Sequence, residues 1–318
     1  MPSAKYPLSL LMVPDTKGFD VTLIHSSAVV DDRAKIGADV EIGPFSVIEN
    51  HVEIGDGCRI AARVSIKSGT RLGPENRIHE GAILGGVPQH LKTGAQLGEL
   101  VIGSGNTIRE YATMHIGLSE GDRTQIGDGN MIMVGAHVGH DCHVGSHCII
   151  INNVLLGGHV IVGDRAYVSG AVAIHQFCRI GAYAMVSGPA RIIQDVPPYV
   201  AVDGSTSKIV GLNLIGLRRN GFDQEQIREL KAAYRVIYRS GLRWSEVLGE
   251  LSRRYPNGPA SLFYHFMSQG QRGFLRERRA QPLAALKIYK PVSDHDGNSE
   301  SDSQVSSDSS SVLRQRAA

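Results

Sequence analysis

The sequence predicts a β-solenoid of three-sided coils followed by a small helical region. Three observations carry this: one aliphatic recurs every six residues from Ile24 to Ile192, glycine is abundant while aromatics are few, and helical spacing begins after Asp223. Stepping by six from Ile24 gives 29 positions, of which 26 are aliphatic or Met; His90, Gln96 and Glu120 are the exceptions. A helix repeats at about 3.6 residues and a strand at about 2, so neither alone explains the period. A coil of three short strands does. Each hexapeptide makes one flat side with its aliphatic inward, and the glycine in pairs such as Ile36-Gly37, Ile54-Gly55 and Val144-Gly145 lets the backbone turn the corner. Three sides make an 18-residue coil. Parallel pairing stacks successive coils about 4.8 Å apart, so about nine coils form a rod about 45 Å long. One inward aliphatic per side leaves little room for rings, in keeping with 6% aromatics beside 37 glycines in 318 residues.

Taken in order, residues 1–21 precede the repeat and read as an extension, and 22–200 form the solenoid. Segments 85–98 and 117–123 keep the count of six without the inward aliphatic and are predicted to be loops thrown out from the rod. Pro197-Pro198 cannot continue a strand ladder and marks a linker leaving the rod. A linker and helical domain fill 201–275: Ile227, Leu230, Tyr234 and Ile237 fall at helical spacing, with Asp223 as N-cap and Gly241 as stop, and two more helices follow near 244–255 and 258–270. The stretch 276–318 is a polar tail, predicted disordered, with Ser, Asp and Glu dominating from Ser293 to Ser311.

Charge and composition exclude several functions. Lys and Arg number 33 against 31 Asp and Glu, a net charge of +2, so no global field recruits nucleic acid or an anionic membrane. The apolar run Leu8 to Val13 is far shorter than the roughly 20 residues that span a bilayer. Cys58, Cys142, Cys148 and Cys178 form no CxxC pair and suit a reducing compartment, as buried small apolar residues. A cytoplasmic protein is expected.

Six histidines lie between 137 and 175. Folding the chain back by whole coils puts His159 and His175 above His140 to within one residue, with His137 three residues from that edge. Imidazoles stacked about 4.8 Å apart admit a zinc site, general-base catalysis, or a solvated edge with no chemistry. Cys142 and Cys178 fall two coils apart, about 10 Å, too far for a disulfide. A nucleophilic Cys142 beside His140 requires both to face the same way, which the spacing does not show.

The hexapeptide pattern resembles the hexapeptide-repeat acyltransferases, whose coils wind left-handedly and which assemble as trimers. More specifically, AHVGHDCHVG at 136–145, GGHVIVGD at 157–164, AIHQFCRIGAYAMVSG at 173–188, QDVPPYV at 194–200, GLNLIGLRRNGF at 211–222 and YRVIYRSGL at 234–242 are similar to the UDP-N-acetylglucosamine O-acyltransferase family of lipid A synthesis. The resemblance runs from Thr22 to Leu275 and implies a left-handed parallel β-helix with a C-terminal α-helical domain.

The resemblance implies transfer of a 3-hydroxyacyl group from acyl carrier protein to the sugar 3-hydroxyl, without cofactor or metal. His140 would be the base, Asp141 would hold its ring, and the Gly158 N–H would meet the oxyanion. Direct attack leaves Cys142 structural. Adjacent strand residues face opposite sides, so Asp141 can hold His140 only if the backbone turns between them. His137 and His159 would contact sugar and acyl groups, and His175 with Gln176 would lie toward the nucleotide. Lys92, Asn213 and Arg219 would meet phosphate or pantetheine oxygens. Gly188 matches the position that sets acyl length. The resemblance also implies a homotrimer with sites between subunits, and Arg218, Arg219 and Arg239 as docking charges for the acidic carrier protein. Two departures stand out: His90 where the family commonly has Asp, and Ile215 where Glu is frequent. The competing readings are a metal-dependent hydratase of the same fold and a non-catalytic scaffold.

Overall fold

The computed structural model describes residues 22–94 and 97–278; the extension at 1–21 and the tail beyond 278 lie outside them. Short strands, most of two residues, stack into three sheets of 11, 9 and 8 strands, parallel except for the last strand of the first, one for each side of the predicted coil. The first side runs from Leu23–Ile24, the second from Val29–Val30 and the third from Lys35–Ile36. The inward aliphatics pair in register, Ile24 with Ile42, Ile42 with Ile60 and Ile60 with Ile78. Leu72 next pairs with Ile102, and Ile102 with Ile126. The first gap exceeds one coil by 12 residues and the second by six, so both predicted loops are insertions that leave the inward phase intact.

The interior holds more than the six-residue period announces. Each hexapeptide buries a second, smaller residue four places after its aliphatic: Ser46, Val52, Cys58, Val64, Cys142, Cys148 and Cys178 are all fully buried. The expectation of one inward residue per side is corrected to two. All four cysteines occupy this small position, and burial pushes the Cys142 thiol up to about 12 and those of Cys148 and Cys178 to about 11. The Cys142 thiol donates to the Gly157 carbonyl at 3.0 Å, inside the prism, which removes it as a nucleophile.

Pro197-Pro198 does not end the solenoid. Val200–Val202 continues the first side parallel to Met185–Val186, and Ile209–Leu212 then adds an antiparallel strand. The prolines lie at a corner, over Gly181, where a Cβ would meet Pro198 N at 2.3 Å. A corner requires no ladder N–H from them. Beyond it come α1 (Leu214–Arg219), which the periodicity missed, then α2 (Gln224–Arg239), α3 (Trp244–Arg254) and α4 (Ser261–Ser268). Asp223 caps α2 in a capping box with Gln226, and the helix buries Ile227, Leu230, Ala233, Tyr234 and Val236; Ile237 is only half-buried.

The helices are bolted to the solenoid. Asp195, 1% exposed, takes the Arg179 guanidinium at 2.8 Å, and the same guanidinium donates to the Phe266 carbonyl of α4. The Tyr199 hydroxyl donates to the Pro259 carbonyl. Arg276 to Arg278, assigned above to the tail, instead pair with Ile209, while Glu277 accepts from Tyr234 and Arg239.

Candidate active site

Both insertions leave the solenoid at the corner between its second and third sides, on consecutive coils: the first between Ile83–Gly86 and Glu99–Ile102, the second between Thr113–His115 and Arg123–Ile126. The next coil turns that corner between His137–Val138 and His143–Val144, through His140 and Asp141. The coils after it turn through Gly158 and His159, then Gln176 and Phe177. Parallel register puts His137 beside Leu155 and Ala173, which aligns His140 with Gly158 and Gln176, and Asp141 with His159 and Phe177.

The predicted column of three imidazoles is therefore corrected. His175 aligns with Gly157, and its Nδ1 donates to the Gln176 carbonyl at 3.1 Å. One residue matters at a corner, because direction changes at each step there. His140 and His159 do meet, with ring centroids 5.1 Å apart, and His159 stacks on Phe177 at 4.5 Å. The other imidazole against His140 comes from the first loop: His90, with centroids 5.5 Å apart.

Asp141 has φ of 58°, the left-handed turn that brings adjacent side chains to one side. Its Oδ2 lies 2.6 Å from His140 Nδ1, and both residues are buried. Its Oδ1 accepts from the Leu118 N–H in the second loop at 3.2 Å, and its own N–H donates to Thr124 Oγ1 at 2.8 Å. The carboxylate thus fixes the ring with Nδ1–H toward it, leaving Nε2 as an acceptor. That nitrogen lies over Gly158, where a Cβ would come within 2.7 Å of it. The Gly158 amide has no backbone acceptor among the described residues. An acceptor nitrogen and an unspent N–H side by side can take a proton and hold a developing oxyanion.

His137 Nδ1 lies 2.9 Å from Thr113 Oγ1, and its ring is 5.0 Å from His115. Burial first, and His115 second, hold His137 below the ordinary imidazole range. His159 is also lowered, chiefly by burial, with His140 and His90 acting in the same sense and Asp141 opposing. The spacing analysis missed His115, which is buried and bonds the Val87 carbonyl through Nδ1 at 2.7 Å, anchoring the first loop at its root. Thr113 and Thr124 are findable only through the register between coils, and Leu118 lies in the second loop, outside any register.

A cavity of about 530 Å³ runs along the second side from His137 over Leu155 and Ala173 to Arg191, with Gln89 and His175 also lining it. Its floor is apolar and could accept an acyl or pantetheine chain. The remaining candidates are dispersed. Lys92 is exposed on the first loop, Gln176 is exposed at its corner, and Arg219 is exposed in the last turn of α1. Asn213 is the N-cap of α1: its Oδ1 accepts from the Gly216 N–H and its Nδ2 donates to the Tyr183 carbonyl, so both ends of the amide are engaged within the chain. Gly188 does not line the cavity, and a Cβ there would meet the Gly170 carbonyl oxygen at 2.1 Å. Arg239, still exposed, is paired with Glu277 at 2.7 Å; Arg218 is exposed on α1, as is Ile215. His140, Asp141 and His159 offer three donor atoms within 4.8 Å of one another, a set that could hold a metal ion.

Residues 195–275 match the family described as UDP N-acetylglucosamine O-acyltransferase, domain 2, and residues 33–68 and 123–158 match the bacterial transferase hexapeptide family. The acyl-(acyl-carrier-protein)–UDP-N-acetylglucosamine O-acyltransferase of Halorhodospira halophila is 45% identical over 258 residues, 80% of this chain and 100% of the relative. The enzyme of the same name from Neisseria meningitidis is also 45% identical with the same coverage. Among solved structures, the UDP-N-acetylglucosamine acyltransferase of Bacteroides fragilis superposes with a TM-score of 0.77 at 39% identity, covering 80% of this chain and all of that one. The one from Francisella novicida gives 0.78 at 36% identity, covering 84% and 100%.

Proposed function

The chain belongs to the acyl-(acyl-carrier-protein)–UDP-N-acetylglucosamine O-acyltransferase family, and from that premise we propose direct, base-catalysed transfer at His140. The donor is a 3-hydroxyacyl group on acyl carrier protein and the acceptor is the sugar 3-hydroxyl of UDP-N-acetylglucosamine, the first step of lipid A synthesis. The single observation that carries this is the placement of His140, with Nδ1 held by Asp141 and Nε2 directly over Gly158.

An alcohol is a poor nucleophile at neutral pH and a thioester a good acceptor, so the chemistry needs a base and an oxyanion donor. The sugar oxygen attacks the thioester carbonyl carbon while its proton passes to His140 Nε2. The carbonyl oxygen becomes the oxyanion and accepts from the Gly158 N–H. Collapse then breaks the C–S bond, and the departing pantetheine sulfur takes the proton back from His140. Asp141 stabilises the imidazolium between these steps without itself taking the proton.

His137 and His159 flank the base and bind sugar and acyl groups in this reading. The cavity beyond His137 supplies an apolar floor for the chain, and His175 with Gln176 lies toward the nucleotide. Lys92 and Arg219 meet anionic oxygens, and Arg218 joins Arg219 as a docking charge for the carrier protein. A homotrimer is supported by outward apolar residues on all three sides, among them Tyr167, Leu155 and Ile161, at 37, 50 and 45% exposure. Among the described residues no helix is long and apolar enough to cross a membrane, which accords with the proposed cytoplasmic setting.

An assay with UDP-N-acetylglucosamine and a panel of acylated carrier proteins tests the proposal. Turnover by the wild type and its loss in His140→Ala, with the fold retained, are expected; full activity in His140→Ala would refute the base. The metal-binding alternative draws on the three clustered donors, and stoichiometric zinc in purified protein with carbonic-anhydrase-like hydration would favour it.

A further inference from the structure

His90 is exposed on the first loop, yet its ring reaches the buried His140 two coils further on. The Lys92 backbone N–H donates to His90 Nδ1 at 3.1 Å. An accepting Nδ1 places the ring proton of neutral His90 on Nε2, so the unengaged nitrogen of this ring is a donor. His140 is the opposite case: its Nδ1–H is committed to Asp141 and its Nε2 accepts. The two rings stand nearly perpendicular, at 77°, and no hydrogen bond joins them. Two rings with centroids 5.5 Å apart therefore carry one acceptor nitrogen and one donor nitrogen. His115 and the Val87 carbonyl fix the root of the loop that makes this possible.

The geometry points to His90 as the residue that makes the acceptor site selective for a hydroxyl over an amine, by donating its Nε2–H to the attacking atom. The inference rests on the acyltransferase reading above. A hydroxyl oxygen has one proton and two lone pairs: the proton goes to His140, one pair attacks the carbonyl carbon, and the other accepts from His90. A neutral amine has one lone pair, which the attack consumes. After giving one N–H to His140 it presents a second N–H toward the His90 donor, and two donors then face each other without an acceptor. His90 touches the attacking atom in this arrangement and takes no proton in the reaction.

The test compares UDP-N-acetylglucosamine with its 3-amino-3-deoxy analogue as acceptors, under conditions where the amine is unprotonated. Wild-type enzyme should prefer the hydroxyl by at least about tenfold in kcat/KM. His90→Gln, which keeps an N–H at similar reach, should preserve that ratio. His90→Glu, which offers only acceptor oxygens when ionised, should narrow or invert it by gaining on the amine. A merely structural role for His90 would lower both substrates together and leave the ratio alone. An unchanged ratio in His90→Glu, or equal use of both acceptors by the wild type, overturns the assignment while leaving the acyltransferase reading intact. If His90→Glu turns over neither acceptor, the ratio of their binding affinities, measured calorimetrically, decides by the same criterion. Absence of any wild-type turnover with the hydroxyl acceptor removes both readings.

Discussion

Asp141 turns back onto its own chain neighbour: at φ of 58° its Oδ2 lies 2.6 Å from Nδ1 of His140, across a single peptide bond. Such a pair needs no long-range closure to form. What the rest of the fold contributes is the carboxylate's other attachments, Leu118 on Oδ1 and Thr124 on the backbone N–H, which hold it from the coil before.

Replacing Asp141 with Asn keeps the shape but offers a weaker, neutral partner that can also turn its amide N–H toward the ring. In that flipped state the proton moves to Nε2, the wrong side for a base. Steady-state kinetics of Asp141→Asn should show kcat reduced by about 10²–10⁴ with KM little changed. A kcat within a few-fold of wild type would show that the ring needs no carboxylate to hold it.

Gly158 is constrained from one side only. A Cβ there meets the tip of His140, at 2.7 Å from both Nε2 and Cε1, and no backbone atom stands in the way. Gly158→Ala should therefore fold, with a melting temperature within a few degrees of wild type, while the displaced base loses about 100-fold or more in kcat. A variant that remained fully active would mean that Nε2 does not work over this glycine.

The coil was legible because Ile, Val and Leu at the large inward position share one property, whereas the small inward position was not. Ser46, Asn76 and Cys142 have no chemistry in common, only modest size and a partner for their polar atom. His140 was legible from its motif and from the coil arithmetic. His175 was misplaced by the same arithmetic, since an error of one residue is harmless along a flat side but changes the facing at a corner. The approach of His90 to His140 lay beyond reach for a different reason: a 12-residue insertion has no register, so where its tip lands depends on contacts that the period does not encode. Asn213, immediately before LIGLRR, carries an N-cap signal beside its ligand reading.

His137 and His159 both titrate below the ordinary imidazole value near 6.5, mainly because burial disfavours the charged ring. Their folded-state pKa values lie under the unfolded ones, so protons bind the unfolded chain more readily. Their contribution to stability is complete above the unfolded value and is lost as pH falls through the depressed folded values. Melting temperature should thus decline on acidification below about 6.5, with a shallower decline in His137→Gln and His159→Gln. Proton NMR titration of the two rings checks the cause directly: midpoints at or above the unfolded value would contradict it.

The junction between solenoid and helices hangs on Asp195. Its Oδ1 accepts from the Arg179 backbone N–H at 2.9 Å and its Oδ2 from the same residue's Nε at 2.8 Å, while its main chain exchanges bonds with Gly273 and Leu275. Arg179 in turn lies over the Phe266 ring, 4.2 Å from its centroid. Asp195→Ala removes one partner of a buried pair and leaves a guanidinium with 15% of its surface exposed and no counter-ion, at a cost of about 3–5 kcal/mol. Because the damage is confined to the interface, the first event on heating should be release of α3 and α4, seen as a new low-temperature transition in calorimetry and as early proteolysis between Gly241 and Arg278. The double variant Asp195→Leu with Arg179→Met, which removes both charges, should recover much of the lost stability. If it is no more stable than Asp195→Ala, the junction depends on the hydrogen bonds of this pair rather than on the pairing of its charges.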